Sequence, residues 1–109
     1  MLAFTEGDVN MTVDIAEEEA NNIFNELKEQ NANCNGRLFM GLDKAVYSTN
    51  NNTDQKVVSF RYRLVKKLKE AVGFYILDHP QPDGTPNRDW LRVINRIDEL
   101  LKYVQKYLQ

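Results

Sequence analysis

From Trp90 to Leu108 the apolar side chains Trp90, Ile94, Ile97, Leu101, Val104 and Leu108 recur at intervals of four, three, four, three and four residues. Only an α-helix brings all six to one face, because about 3.6 residues complete each turn. A helix with one apolar face must bury it against other elements, so this segment commits the chain to a packed helical core. Val93, Leu100 and Tyr107 widen the seam beyond the two-in-seven stripe of a coiled coil. That width suits a helix inside a bundle.

A second long segment carries the same signal. On a helical wheel, Val57, Val58, Phe60, Leu64, Val65, Leu68, Ala71, Val72, Tyr75 and Ile76 fall within an arc of roughly 160°, and only Arg61 intrudes on it. Thr53 or Asp54 can cap this helix, which is read as 54–77. Nearer the start, Ala16, Ala20, Ile23, Phe24 and Leu27 form an apolar stripe on a helix read as 15–31. Asp14-Ile15-Ala16-Glu17 resembles a capping box at its start. Asn33-Cys34-Asn35-Gly36 is expected to end it with a left-handed cap.

Residues 37–48 carry two patterns. Leu38, Phe39, Leu42, Ala45 and Val46 have the spacing of one helical face, which Gly41 weakens. The rival is a hairpin across the Asn-rich turn at 50–52. It is supported by the alternation of Val58, Phe60, Tyr62 and Leu64 with Ser59, Arg61 and Arg63. Asp78 to Pro86, with three prolines and an Asp-Gly pair, is a loop. Thr85 is the candidate cap of a last helix read as 87–108, with Pro86 at its first position. Residues 1–13 show no helical period and are read as an N-terminal arm, extended or loose. The expectation is therefore an all-α domain over 14–109, a bundle of four helices at 15–31, 37–48, 54–77 and 87–108. The alternative is an α+β fold with a hairpin at 44–64.

At 109 residues, the chain is long enough to close a core without metals or disulfides. A single cysteine, Cys34, excludes an intrachain disulfide and points to a reducing, cytoplasmic setting. The first residues lack the basic and apolar regions of a secretory signal, and no apolar run approaches a membrane span.

Charge is divided along the chain. Residues 1–54 hold ten acidic and three basic residues, whereas 55–109 hold eleven basic and six acidic ones, against a net charge of −2. Glu18, Glu19, Glu26 and Glu29 form a candidate partner-binding acidic face on the first helix, with Glu17 at its border. The candidate basic face is Arg63, Lys66, Lys67 and Lys69 on the third helix, together with Arg88, Arg92, Arg96, Lys102 and Lys106 on the fourth. Arg88, Arg92 and Arg96 step by four along one outer strip. The plainer reading is that helices of opposite charge neutralise one another at their edges. The sharper one is that a face stays open and docks a partner. Asp89 and Arg92, and Asp98 and Lys102, have intrahelical ion-pair spacing, which weakens the strip as a track for phosphates.

No motif points to catalysis. His79 is the lone histidine, next to Asp78 in a loop with no activated nucleophile nearby. Cys34 follows a helix C-terminus, where the dipole disfavours a thiolate. Metal-ligand and phosphate-loop spacings are missing, so no metal or cofactor is expected. Phe74, Leu77 and Leu91 fall off the core stripes, suggesting a wider core or an apolar surface for a partner or a second copy. These features suggest a small, non-catalytic protein-binding module: an adaptor, an immunity-type protein, or an inhibitor of the kind phages and mobile elements carry. The competing class is a nucleic-acid-binding subunit using the basic strips.

Overall fold

Four helices follow one another in the computed structural model, which describes residues 13–47 and 53–109: α1 (Val13–Glu29), α2 (Arg37–Val46), α3 (Gln55–Asp78) and α4 (Arg88–Gln105). The arm expected at 1–13 lies, but for Val13, outside the described residues, as does the Asn-rich turn. Among the described residues no strand occurs. The hairpin alternative at 44–64 is thereby overturned: α2 ends at Val46, and 55–64 are the first turns of α3. Asp54 caps α3 by accepting the Lys56 amide at 3.0 Å. The apolar arc then continues unbroken through Val57, Val58, Phe60, Leu64, Val65, Leu68, Val72 and Ile76, all buried. A strand would have placed only every second one of these inside.

α3 is the central helix. Its inner face packs against α1 on one flank and α4 on the other. Arg63 and Lys67 meet Glu17, and Tyr75 meets Phe24, so α1 and α3 run parallel. Lys69 pairs with Asp98 and Tyr75 packs on Trp90, so α4 runs antiparallel to α3. Phe39 and Asp43 lie against Arg96, and Tyr47 against Tyr103, so α2 descends alongside α4. All four helices feed one core, including Leu27, Phe39, Leu42, Leu64, Leu68, Val93, Ile97 and Leu100. Arg61, the intruder on the α3 arc, is taken inside with 6% of its surface exposed. Burial there pulls its guanidinium below its ordinary pKa.

The helix ends correct the sequence reading in four places. First, α1 starts at Val13, ahead of the proposed cap Asp14, and the Glu17 carboxylate pairs with α3. Second, α1 ends in a Schellman motif: Ala32 donates to the Leu27 carbonyl at 2.9 Å and Asn31 to Lys28 at 3.2 Å. The left-handed residues are Asn31 (φ 54°) and Ala32 (φ 61°), whereas Gly36 is the extended residue that begins α2. Ala32 holds this unusual conformation while its methyl group is buried in the core. Third, Asn87, not Thr85, caps α4, accepting the amides of Asp89 and Trp90. Thr85 is engaged elsewhere, because its hydroxyl donates to Asp83 at 2.6 Å and accepts from Gln81. The Gly84 amide donates to the Gln81 carbonyl at 2.8 Å and closes a turn with Pro82 second and Gly84 at φ +85°, and Pro86 precedes the helix. Fourth, α4 ends at Gln105. The next three amides bond three residues back, and Gln55 holds the tail through the Tyr107 carbonyl and the Gln109 amide.

Candidate docking face

The geometry of α3 separates its charged residues into two settings. At about 100° per residue, Lys66, Glu70, Phe74 and Leu77 point away from the core, whereas Tyr62, Lys69 and Gly73 turn toward α4. α3 and α4 leave between them an open groove of about 640 Å³. Ile94, Leu101 and Gly73 line its apolar part, and Tyr62 lies at one end. Arg63, Lys66, Lys67 and Lys69 rim it, with Glu70 among them. Gly73 keeps the seam shallow: a Cβ there would touch Ile94 Cδ1 at 3.7 Å.

The basic residues are not equally available. Arg63 donates to Glu17 at 2.8 Å, and Lys67 lies 3.6 Å from the same carboxylate and 3.9 Å from Glu70. Lys69 reaches Asp98 at 2.8 Å and Lys102 reaches it at 3.6 Å. The Arg63 hydrogen bond holds the Glu17 carboxyl below its usual pKa, and the Lys69 hydrogen bond does the same for Asp98. Lys66 has no ion pair among the described residues and lies over the Tyr62 ring at 5.7 Å.

The α4 strip is broken further than its interrupting carboxylates suggested. Arg88 and Arg92 are exposed, and Arg92 lies 3.4 Å from Asp89. Arg96 instead turns into the seam with α2. There it donates to Asp43 and to the Cys34 carbonyl at 3.4 Å, above the Phe39 ring. A strip read by steps of four drifts around the helix, because four residues overshoot a turn by about 40°. Lys106 lies over the Tyr103 ring at 5.8 Å and does not line the groove.

On α1, Glu18 and Glu29 are exposed and Glu19 and Glu26 are half-buried. None of the four has an ion pair among the described residues. Partial burial raises the Glu19 pKa, and repulsion from Glu18 and Glu26 adds to it. Among the described residues this acidic face thus has no paired cation, whereas Glu17 at its border is the carboxylate that docks α1 onto α3.

Beyond Gly73 the groove opens onto apolar surface. Phe74 is 66% exposed, Leu77 77% and Leu91 36%. Leu77 follows Gly73 by one turn, and Leu91 precedes Ile94 by one, so both extend the same antiparallel seam. The sequence had marked these three as off-stripe, but Asp43, Phe39 and the groove floor were missed as neighbours of the basic residues. Nothing in their local spacing signals a meeting of α2 with α4.

His79 closes the end of α3. Its ring stacks on Tyr75 with centroids 4.1 Å apart, and Nδ1 lies 3.1 Å from the Tyr75 carbonyl oxygen. Burial raises the Cys34 thiol's pKa, and Sγ lies 3.9 Å from the Ala32 carbonyl oxygen. Among the described residues, no three His, Cys, Asp or Glu side chains gather as a metal site would require. No helix there is long and apolar enough to cross a membrane. In comparisons with known proteins, the chain matches no family model, no curated protein and no solved structure.

Proposed function

We propose that this chain is a small, non-catalytic protein-binding module that docks its partner on the outer face of α3 and its groove with α4. The observation that carries this reading is the exposure of Phe74 and Leu77 at the open end of a groove rimmed by lysines. Adjacent large apolar side chains in water are unfavourable, and their covering by a partner is the usual gain at an interface. The lysine rim selects for acidic groups beside the apolar anchors. Adaptors, immunity-type proteins and inhibitors carried by mobile elements all work through such a surface. The lone, half-buried Cys34 supports a reducing compartment such as the cytoplasm.

Affinity capture from the native host tests this reading. Wild type, a Phe74→Glu/Leu77→Glu variant and a control altered at exposed Lys44 are compared at equal folded concentration. The expected result is a partner held by wild type and the control and lost by the double variant. Retention by all three would overturn the assignment to this face. The competing reading is a nucleic-acid-binding subunit, favoured by the cluster of Arg63, Lys66, Lys67 and Lys69. Glu17, Glu70 and Asp98 stand among those cations and oppose a phosphate backbone. Tight duplex binding that weakens steeply with salt would favour that alternative.

A further inference from the structure

We infer that the groove between α3 and α4 receives the acidic face of α1 from a second copy of the chain, in a head-to-tail contact. The inference rests on reading that groove as a protein-docking surface, and it names the occupant.

The two surfaces match in charge and length. Around the groove stand five cations, Arg63, Lys66, Lys67, Lys69 and Lys102, against three carboxylates, Glu17, Glu70 and Asp98. The surplus is positive, and Lys66 contributes a charge with no acidic partner among the described residues. The face of α1 is its complement: Glu18, Glu19, Glu26 and Glu29 have no cation paired with them among the described residues. From Ile15 to Glu29 this face spans about 21 Å, and Arg63 to Leu77 on α3 spans about the same.

One direction also brings the apolar ends together. Laid antiparallel to α3, α1 of the second copy places Ile15, 41% exposed, at the end where Leu77 stands. The same register sets Glu26 opposite Lys66 and Glu29 opposite Arg63. It places Glu18 beside Phe74 and Glu19 beside Gly73, with the uncharged Asn22 opposite Glu70. Run parallel, α1 would set Glu18 and Glu19 opposite Lys66 and Lys67 instead, but Ile15 would stand among the cations and Glu29 opposite Leu77.

The acidic face and the groove are different patches, so the contact is heterologous. Each copy offers one donor face and one acceptor groove, and growth continues unless the rotation closes a ring. One helix face covers far less than the roughly 1,600 Å² of a standard interface, so the association is weak and salt-sensitive.

The test uses the full chain. Sedimentation is followed from about 20 µM to about 1 mM at low and high salt, since weak contacts populate only in that range. The expected result is an average mass that at least doubles at low salt, passes beyond the dimer, and returns to monomer at high salt. A groove variant, Lys66→Glu/Phe74→Glu, and a charge-neutral α1 variant, Glu26→Gln/Glu29→Gln, each remain monomeric. Mixed together they form a one-to-one dimer and nothing larger, because each restores only one working face. A wild type that stays monomeric throughout overturns the proposal, as does a mixture of variants that does not pair. The same groove variant is then titrated beside wild type with an acidic amphipathic helical peptide and with a DNA duplex. If wild type is monomeric and the peptide binds through the groove, the second copy is excluded while the docking surface stands. If only the duplex binds, both readings fall.

Discussion

Arg96 and Lys66 are both cations on long helices, and along the chain the strips containing them look alike. In the fold they differ because of α2. That helix packs beside α4 and brings Asp43 and Phe39 to Arg96, which also donates to the Cys34 carbonyl. Among the described residues no helix packs over the outer side of α3, so Lys66 stays on the rim of the groove, exposed and without an ion pair there. A charge in the closed seam holds elements together, and the same charge on the open seam is left for a partner. Split charge in a sequence therefore need not mark an interaction surface, because part of it is absorbed between helices. Glu17 with Arg63 and Lys67, and Asp98 with Lys69, are further absorbed pairs.

Both seams border the one core that all four helices share, and the largest effect is expected in that core. Leu68 is fully buried, and Leu68→Ala should destabilise the fold by about 2–5 kcal/mol in a urea titration. A loss below about 1 kcal/mol would mean that the two seams do not share this core. The contrast itself is tested by the pair Arg96→Ala and Lys66→Ala. The first strands the half-buried Asp43, whose Oδ1 already lacks a hydrogen-bond partner, and should cost about 1–2 kcal/mol. The second should change stability by no more than about 0.5 kcal/mol, as expected of an exposed residue. Equal losses would erase the distinction.

A smaller change of opposite sign is expected at Gly73. Alanine there meets Ile94 only at ordinary contact distance, and its helix propensity should raise stability by about 0.5–1 kcal/mol. A drop in thermal midpoint would show that the seam is tighter than this spacing implies. The smallest effect is electrostatic. The folded pKa values of Glu17 and Asp98 lie below their unfolded ones. Their contribution is present above about pH 4 and fades as pH falls through the lowered folded values. Glu19 has the opposite sign: its raised pKa favours the fold below the unfolded value, and that contribution is lost as pH rises through the folded one. On acidification, wild type should therefore lose slightly more stability than a Glu17→Gln/Asp98→Asn variant. Urea midpoints at about pH 7 and about pH 3 measure the difference, and identical losses would remove these pairs from the account.

Periodicity alone made α3 and α4 legible, since a face of ten apolar residues has no strand equivalent at that length. It also marked Arg61 as the odd member of the arc, and the fold buries it. The off-stripe positions of Phe74, Leu77 and Leu91 allowed either a wider core or an open surface, and the fold leaves all three exposed. The end of α1 was not legible. Ala32 in a left-handed conformation has no local signal, because alanine adopts it only when surrounding bonds and packing hold it there. The fate of Arg96 was hidden for a related reason: its partners lie more than fifty residues away in the chain.

The sequence by itself favoured four helices, left 37–64 open between helix and hairpin, and located the apolar faces of the three longer helices. These properties repeat every turn and need only neighbours three or four residues apart. Only the tertiary structure decided that α1 runs parallel to α3, that α2 closes one side of α4, and that the groove beside Gly73 stays open. Those outcomes depend on how whole helices share one core. In that arrangement Asp43 is placed against one cationic strip, and among the described residues no helix is packed over the other.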